Sequence, residues 1–119
     1  MSNFHIKQNT NNACYFQFFD QNNELVLLSD YYPDKLSVKQ AIQDLRLKSL
    51  MDQYFIQAET DDGEIYFMIK NSNGDVLVKS VLYTSEKMMN EALQFVKDNA
   101  CRANMKFWET TLPKLNKCG

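Results

Sequence analysis

The chain has 119 residues and a mass of 13.9 kDa, the size of one domain that buries roughly two-thirds of its unfolded surface. Its 45% hydrophobic and 24% charged residues exclude a chain disordered over most of its length. A formal net charge of -2 supplies no overall pull toward nucleic acid or anionic lipid, and no apolar run approaches the roughly twenty residues that span a bilayer.

Taken in chain order, the first strand is Phe4-His5-Ile6-Lys7, the second runs Cys14 to Phe19 and the third Leu25 to Ser29, each rich in β-branched or aromatic residues. Asn11-Asn12 and Asn22-Asn23 tolerate positive φ and predict tight turns between them. A helix comes next, because Val38, Ala41, Ile42 and Leu45 recur at i, i+3, i+4 and i+7, opposite Lys39, Gln40, Gln43 and Asp44. Asp34 or Ser37 is placed to cap it. Leu50-Met51-Asp52-Gln53 is too short and too apolar for a linker, so the second half of the chain belongs to the same domain as the first.

The pattern then begins again. Strands are expected at Phe55-Ile56-Gln57, Ile65 to Ile69 and Val76 to Ser80, with turns at Asp62-Gly63 and Asn73-Gly74. A second helix carries Met89, Ala92, Leu93 and Val96 on one stripe, capped by Thr84 or Ser85. Phe4 and Phe55, Tyr15 and Tyr66, Asn22 and Asn73, Ser29 and Ser80, Tyr32 and Tyr83, and Ala41 and Ala92 all stand fifty-one positions apart. Such self-similarity is the mark of one supersecondary unit present twice, here over residues 3–49 and 54–100. A closing strand at 105–110, containing Phe107-Trp108, echoes the first strand a third time. The expected fold is α+β: two β3-α repeats and a C-terminal strand in one antiparallel sheet, both helices on one face. Each helix would lead to a strand that pairs with the opposite repeat.

The run Asn73 to Ser85, with its Asn-Gly turn, Ser80 and Tyr83, and the helix ending Val96-Lys97-Asp98-Asn99-Ala100 resemble the YegP-like bacterial proteins. These are small, often tandemly repeated domains of unknown function, and the likeness runs from Phe4 to about Thr110. Its pattern is an aromatic-x-Phe strand, an Asn-Gly turn, Ser-x-x-Tyr and a helix; repeat one has Asn23 in place of Gly74. The resemblance implies β3-α-β units that share a sheet and exchange their last strands, and it lends no catalytic residues. Ala41 and Ala92 stand where the family usually has glycine, and the acidic residue after the serine is Asp30 in one repeat but Val81 in the other.

The chemistry-bearing residues point away from catalysis. His5 is the sole histidine and reads as a face residue; Cys14, matched by Ile65, reads as packing. The cysteines Cys14, Cys101 and Cys118 are odd in number and lack CxxC spacing, the usage of reduced thiols in a cytoplasmic protein. The N-terminus has no basic region ahead of an apolar core, so no secretory leader is expected. With three glycines there is no phosphate loop, and the carboxylates of Asp61-Asp62-Gly63-Glu64 sit at a turn without a calcium-loop pattern. No cofactor or metal is expected.

Two binding surfaces remain. Strand alternation points Tyr15, Gln17, Phe19, Tyr66, Met68 and Lys70 away from the helices, joined by Val26, Leu28, Leu77 and Lys79. That face is too apolar to be left to water, so the expectation is a non-catalytic module that binds a protein partner or a second copy of itself, as in a homodimer. Only Lys70 and Lys79 add positive charge in this reading, which weighs against nucleic acid, and no membrane contact is expected. The alternative is a small-molecule or peptide pocket at the seam between repeats, near Ser29-Tyr32 or Ser80-Tyr83. The bland reading of these serines and tyrosines is structural: hydroxyls that satisfy backbone at the strand ends and rings that pack ahead of each helix.

Overall fold

The computed structural model describes residues 2–109, with side chains to residue 107. The elements are β1 (Asn3–Gln8), β2 (Cys14–Phe19), β3 (Leu25–Leu28), α1 (Lys35–Lys48), β4 (Phe55–Glu59), β5 (Ile65–Lys70), β6 (Val76–Ser80), α2 (Glu86–Asn99) and β7 (Asn104–Glu109). Short 3-10 turns at Asp52–Tyr54 and Ala100–Arg102 lead out of the two helices. Thr110, expected to end the closing strand, and Cys118 lie outside the described residues.

Local chemistry sets the boundaries. Asp34 caps α1 by accepting the Ser37 backbone N–H, and Ser85 caps α2 by accepting that of Met88. All four hairpin turns share one design. Asn12, Asn23, Gly63 and Gly74 each take a positive φ at the last loop position, the geometry of a three-residue hairpin loop. The residue that opens each turn braces it: the side-chain oxygens of Asn9, Asp20 and Asn71 each accept two backbone N–H groups across the loop, and that of Thr60 accepts one.

The strands form one sheet in the order β4-β5-β6-β3-β2-β1-β7. It is mixed rather than antiparallel throughout, because β7 runs parallel to β1, with Phe4 opposite Met105 and Ile6 opposite Phe107. The remaining neighbours are antiparallel. The physical reason lies in the route of the helices. A helix of 14 residues is about 21 Å long, and strands sit about 4.8 Å apart, so one helix traverses three or four strands. From the central strand β3, α1 carries the chain to β4 at one edge; from β6, α2 carries it to the opposite edge. That edge position is already held by β1, so β7 adds outside it. Entering by a crossover rather than a hairpin, β7 is free to run parallel.

One face of the sheet meets the helices. Phe4, Ile6, Phe16, Phe18, Leu27, Phe67 and Ile69 are fully buried there with Val38, Ile42 and Leu45 of α1 and Met89 and Val96 of α2. The stripe expected for α1 is the one observed; on α2, Ala92 and Leu93 are only partly buried. Aromatic edges tie the layers, with the Phe95 ring of α2 6.0 Å from Phe18. Arg46 of α1 reaches the chain ahead of β7, donating to the Ala103 carbonyl at 2.7 Å.

Strand three departs from simple alternation. The register shifts between Phe18 and Phe19 and again between Ile69 and Lys70, so Val26 and Leu77 become extra residues and are buried rather than outward-facing. Leu28 and Lys79 do point outward, as expected.

Candidate functional site: the helix-free face of the sheet

The outward side chains form continuous rows. The central one crosses all seven strands in register: Ile56, Met68, Lys79, Leu28, Gln17, His5 and Lys106. On one side of it lie Tyr66 beside Ala58, and Phe19 beside Asn3; on the other, Tyr15 beside Lys7, and Lys70 beside Val76. Tyr15, Phe19, Tyr66 and Met68, four of the residues singled out from the sequence, therefore share one surface. All four are half-buried, because neighbours on the sheet crowd their flanks. Tyr15 meets the Tyr31 ring edge-on at 5.2 Å, and Phe19 lies 4.4 Å from the His5 ring.

Charge is segregated on this face. Lys7, Lys70, Lys79 and Lys106 all occupy outward positions, and among the described residues no outward strand position carries a carboxylate. Sequence reasoning found Lys70 and Lys79 and missed the other two. Lys106 joins them only because β7 docks beside β1, a pairing that no local signal announces. None of the four forms an ion pair with a described side chain. Glu59 is on the other face, lining a groove with Glu86 and Met89 of α2. Burial, and then the charges of Lys7 and Lys106, hold the His5 imidazole below its ordinary pKa, so it is neutral near pH 7. At the centre of the face the Gln17 amide oxygen is shielded from solvent and has no hydrogen-bond partner among the described residues.

The serine hydroxyls are occupied, in a groove that shares Leu28, Val76 and Lys79 with this face and also carries Asp30. The Ser29 hydroxyl accepts the Phe16 backbone N–H at 2.9 Å and donates to the Asp30 carbonyl at 2.8 Å. Ser80 repeats this with Phe67 at 3.0 Å and Val81 at 2.8 Å. In each case the hydroxyl stands in for a carbonyl that has turned away as the chain leaves the strand. Tyr32 and Tyr83 close the same corners through paired backbone bonds with Cys14 and Ile65. Both phenols are held above their usual pKa, first by burial and then by nearby carboxylates: Asp30 and Asp44 for Tyr32, Asp20 and Glu24 for Tyr83.

These residues do not share one pocket. Ser29 and Ser80 line a groove of about 230 Å³ at the β3–β6 seam, whereas Tyr32 and Tyr83 line separate grooves of about 480 and 460 Å³ beside α1 and α2. Cys14 is fully buried, and burial raises its thiol pKa, which suits packing. Among the described residues no three His, Cys, Asp or Glu side chains gather as a metal set, and no helix is long and apolar enough to cross a membrane.

Comparison with known proteins places this geometry. Residues 61–106 match the family model described as Domain of unknown function (DUF1508). The UPF0339 protein PA0329 of Pseudomonas aeruginosa is 31% identical over 94 residues, which cover 79% of this chain and 86% of that protein. The UPF0339 protein YegP of Escherichia coli is 23% identical over 103 residues, covering 87% and 94%. Two solution NMR structures share the fold. That of yegP from E. coli has a TM-score of 0.86 at 22% identity, covering 93% of this chain and 96% of that one. That of UPF0339 protein SO3888 from Shewanella oneidensis has a TM-score of 0.86 at 18% identity, covering 91% and 92%. An outward face of aromatic and lysine side chains on a mixed seven-stranded sheet is thus the surface presented by a chain that belongs to the UPF0339 family, whose members are of unknown function.

Proposed function

We propose that the chain is a non-catalytic binding module and that its contact surface is the helix-free face of the sheet. One observation carries this reading: a surface of seven strands exposes Leu28, Ile56 and Val76 among aromatic side chains and four lysines, with no carboxylate at an outward strand position among the described residues. Apolar side chains gathered on an uncovered face are the usual mark of a partner surface. The architecture behind it is a doubled unit in one domain, with α1 and α2 each delivering their following strand to the far half of the sheet. The free thiols of Cys14 and Cys101 fit a cytoplasmic setting.

Face-to-face pairing of two copies would set four lysines against four lysines, so charge favours a different, acidic partner over self-association. A ligand in the seam groove is the lesser reading, since about 230 Å³ is below the usual range for small-molecule sites and both serine hydroxyls are already engaged.

Lysine footprinting tests the surface without presuming its occupant. The purified protein and the protein in native lysate are acylated briefly, and modification is read residue by residue. Lys7, Lys70, Lys79 and Lys106 are expected to be protected in lysate relative to Lys39 and Lys87 on the helices, and the Tyr15→Ser/Tyr66→Ser variant should lose that protection. Equal labelling of all six lysines in both settings would overturn the proposal.

A further inference from the structure

We infer that the occupant of this face is single-stranded nucleic acid; the inference rests on the binding-face reading above and names its partner class. Three observations converge. First, the surface is a cationic island on an acidic chain: Lys7, Lys70, Lys79 and Lys106 lie on it, while the net charge of the whole chain is -2. Counter-ion release on binding a polyanion draws on such a cluster, and the lack of ion pairs with described side chains leaves the ammonium groups available for phosphates.

Second, the lysines are interleaved with rings. Tyr66 and Phe19 stand two residues from the central row on one side of it, and Tyr15 two residues from it on the other. Unstacked bases lie on aromatic side chains of an open sheet, whereas an acidic protein segment gains nothing specific from the rings. Third, the shape suits an extended strand. The central row crosses seven strands at about 4.8 Å spacing, a track of roughly 29 Å that passes over the shallow seam groove at Leu28 and Lys79. A track of that length accommodates a few nucleotides, while a duplex would present its phosphates and hide its base faces.

The test is fluorescence anisotropy with fluorescein-labelled (dT)12 and (rU)12, a labelled 12-base-pair duplex, and polyglutamate of matched charge as competitor. The single strands are expected to bind at 50 mM salt, with the duplex at least 10-fold weaker and polyglutamate unable to compete at equal charge. With four phosphate contacts, raising salt to 200 mM should weaken binding roughly 50-fold, and Lys7→Gln/Lys106→Gln should lower the salt slope by about 1.4. Tyr15→Ser/Tyr66→Ser should cost roughly 30-fold at unchanged salt slope, as expected for the loss of two stacked bases. Should the tyrosine variant fail to fold, the lysine variant carries the test alone, because its substitutions leave the core untouched.

Absence of binding by either single strand at 100 µM protein and 50 mM salt would overturn the inference, as would equal competition by polyglutamate. Nuclease treatment separates this failure from that of the parent reading. Lysine protection in lysate that vanishes after nuclease supports nucleic acid. Protection that survives it keeps the face as a binding surface but refutes this partner, and assigns the face to an acidic protein instead.

Discussion

Replacing Ser29 with alanine isolates the question of whether the Ser-x-x-Tyr corners are structural or ligand-facing. The hydroxyl makes two hydrogen bonds, and the one accepted from Phe16 is buried. Truncation leaves that N–H without an acceptor inside the fold, at a cost of about 1 to 3 kcal/mol, whereas the Asp30 carbonyl sits at the surface and recovers water. The expected loss for Ser29→Ala is therefore about 2 kcal/mol, and the matching geometry at Phe67 and Val81 predicts a similar figure for Ser80→Ala. With a urea m-value of about 2 kcal/mol/M, the unfolding midpoint should fall by about 1 M in far-UV circular dichroism. Hydrogen exchange supplies the local readout: the Phe16 amide should lose protection in the first variant and the Phe67 amide in the second. A midpoint within about 0.2 M of the wild type, with both amides still protected, would refute the structural account and return these serines to the ligand-contact reading.

Other expectations rest on particular residues. The single imidazole of His5 should titrate below 6.5 by NMR, and Lys7→Gln/Lys106→Gln should raise its pKa only partway, because burial is the larger cause. Since the fold favours the neutral ring, its contribution to stability is complete above pH 6.5 and is lost as pH falls below that value; stability that improved on acidification through this window would contradict the assignment. At Gly74, with φ at +86 degrees and open space where a Cβ would stand, alanine should cost about 1 kcal/mol purely through backbone conformation. Asparagine should cost less, as its occurrence at Asn23 with φ at 62 degrees implies, and equal midpoints for Gly74→Ala and wild type in thermal melts would disprove this.

Much of the architecture is written locally. The stripe Val38, Ala41, Ile42, Leu45 predicts α1 and its buried face because helical periodicity is a property of neighbouring residues. Of the cap candidates Asp34 or Ser37 and Thr84 or Ser85, the fold uses Asp34 and Ser85, and the Asn-Gly and Asn-Asn turns announce the hairpins for the same local reason. The features that escape the sequence are non-local. The direction of β7 depends on where a 14-residue helix sets it down, and nothing within Asn104–Glu109 encodes a parallel neighbour. The bulges that bury Val26 and Leu77 belong to the pairing of β3 with β2 and of β6 with β5 and not to either strand alone, so alternation alone places these two residues on the wrong face. The candidate surface suffers accordingly. Its aromatic members are legible from period-two spacing, but its charge reads as half of what it is: Lys106 joins only once β7 lies beside β1, and Lys7 joins through its place opposite Tyr15.

That parallel pair sets a timetable for synthesis. About a hundred residues separate β1 from the ribbon that covers its outer edge, so at a ribosomal pace of about 5 to 20 residues per second the edge waits on the order of five to twenty seconds. During that wait the nascent polypeptide presents a bare row of amide and carbonyl groups to anything nearby, including the finished tail of an earlier copy. Translation speed across the intervening residues thus sets how long that edge stays open.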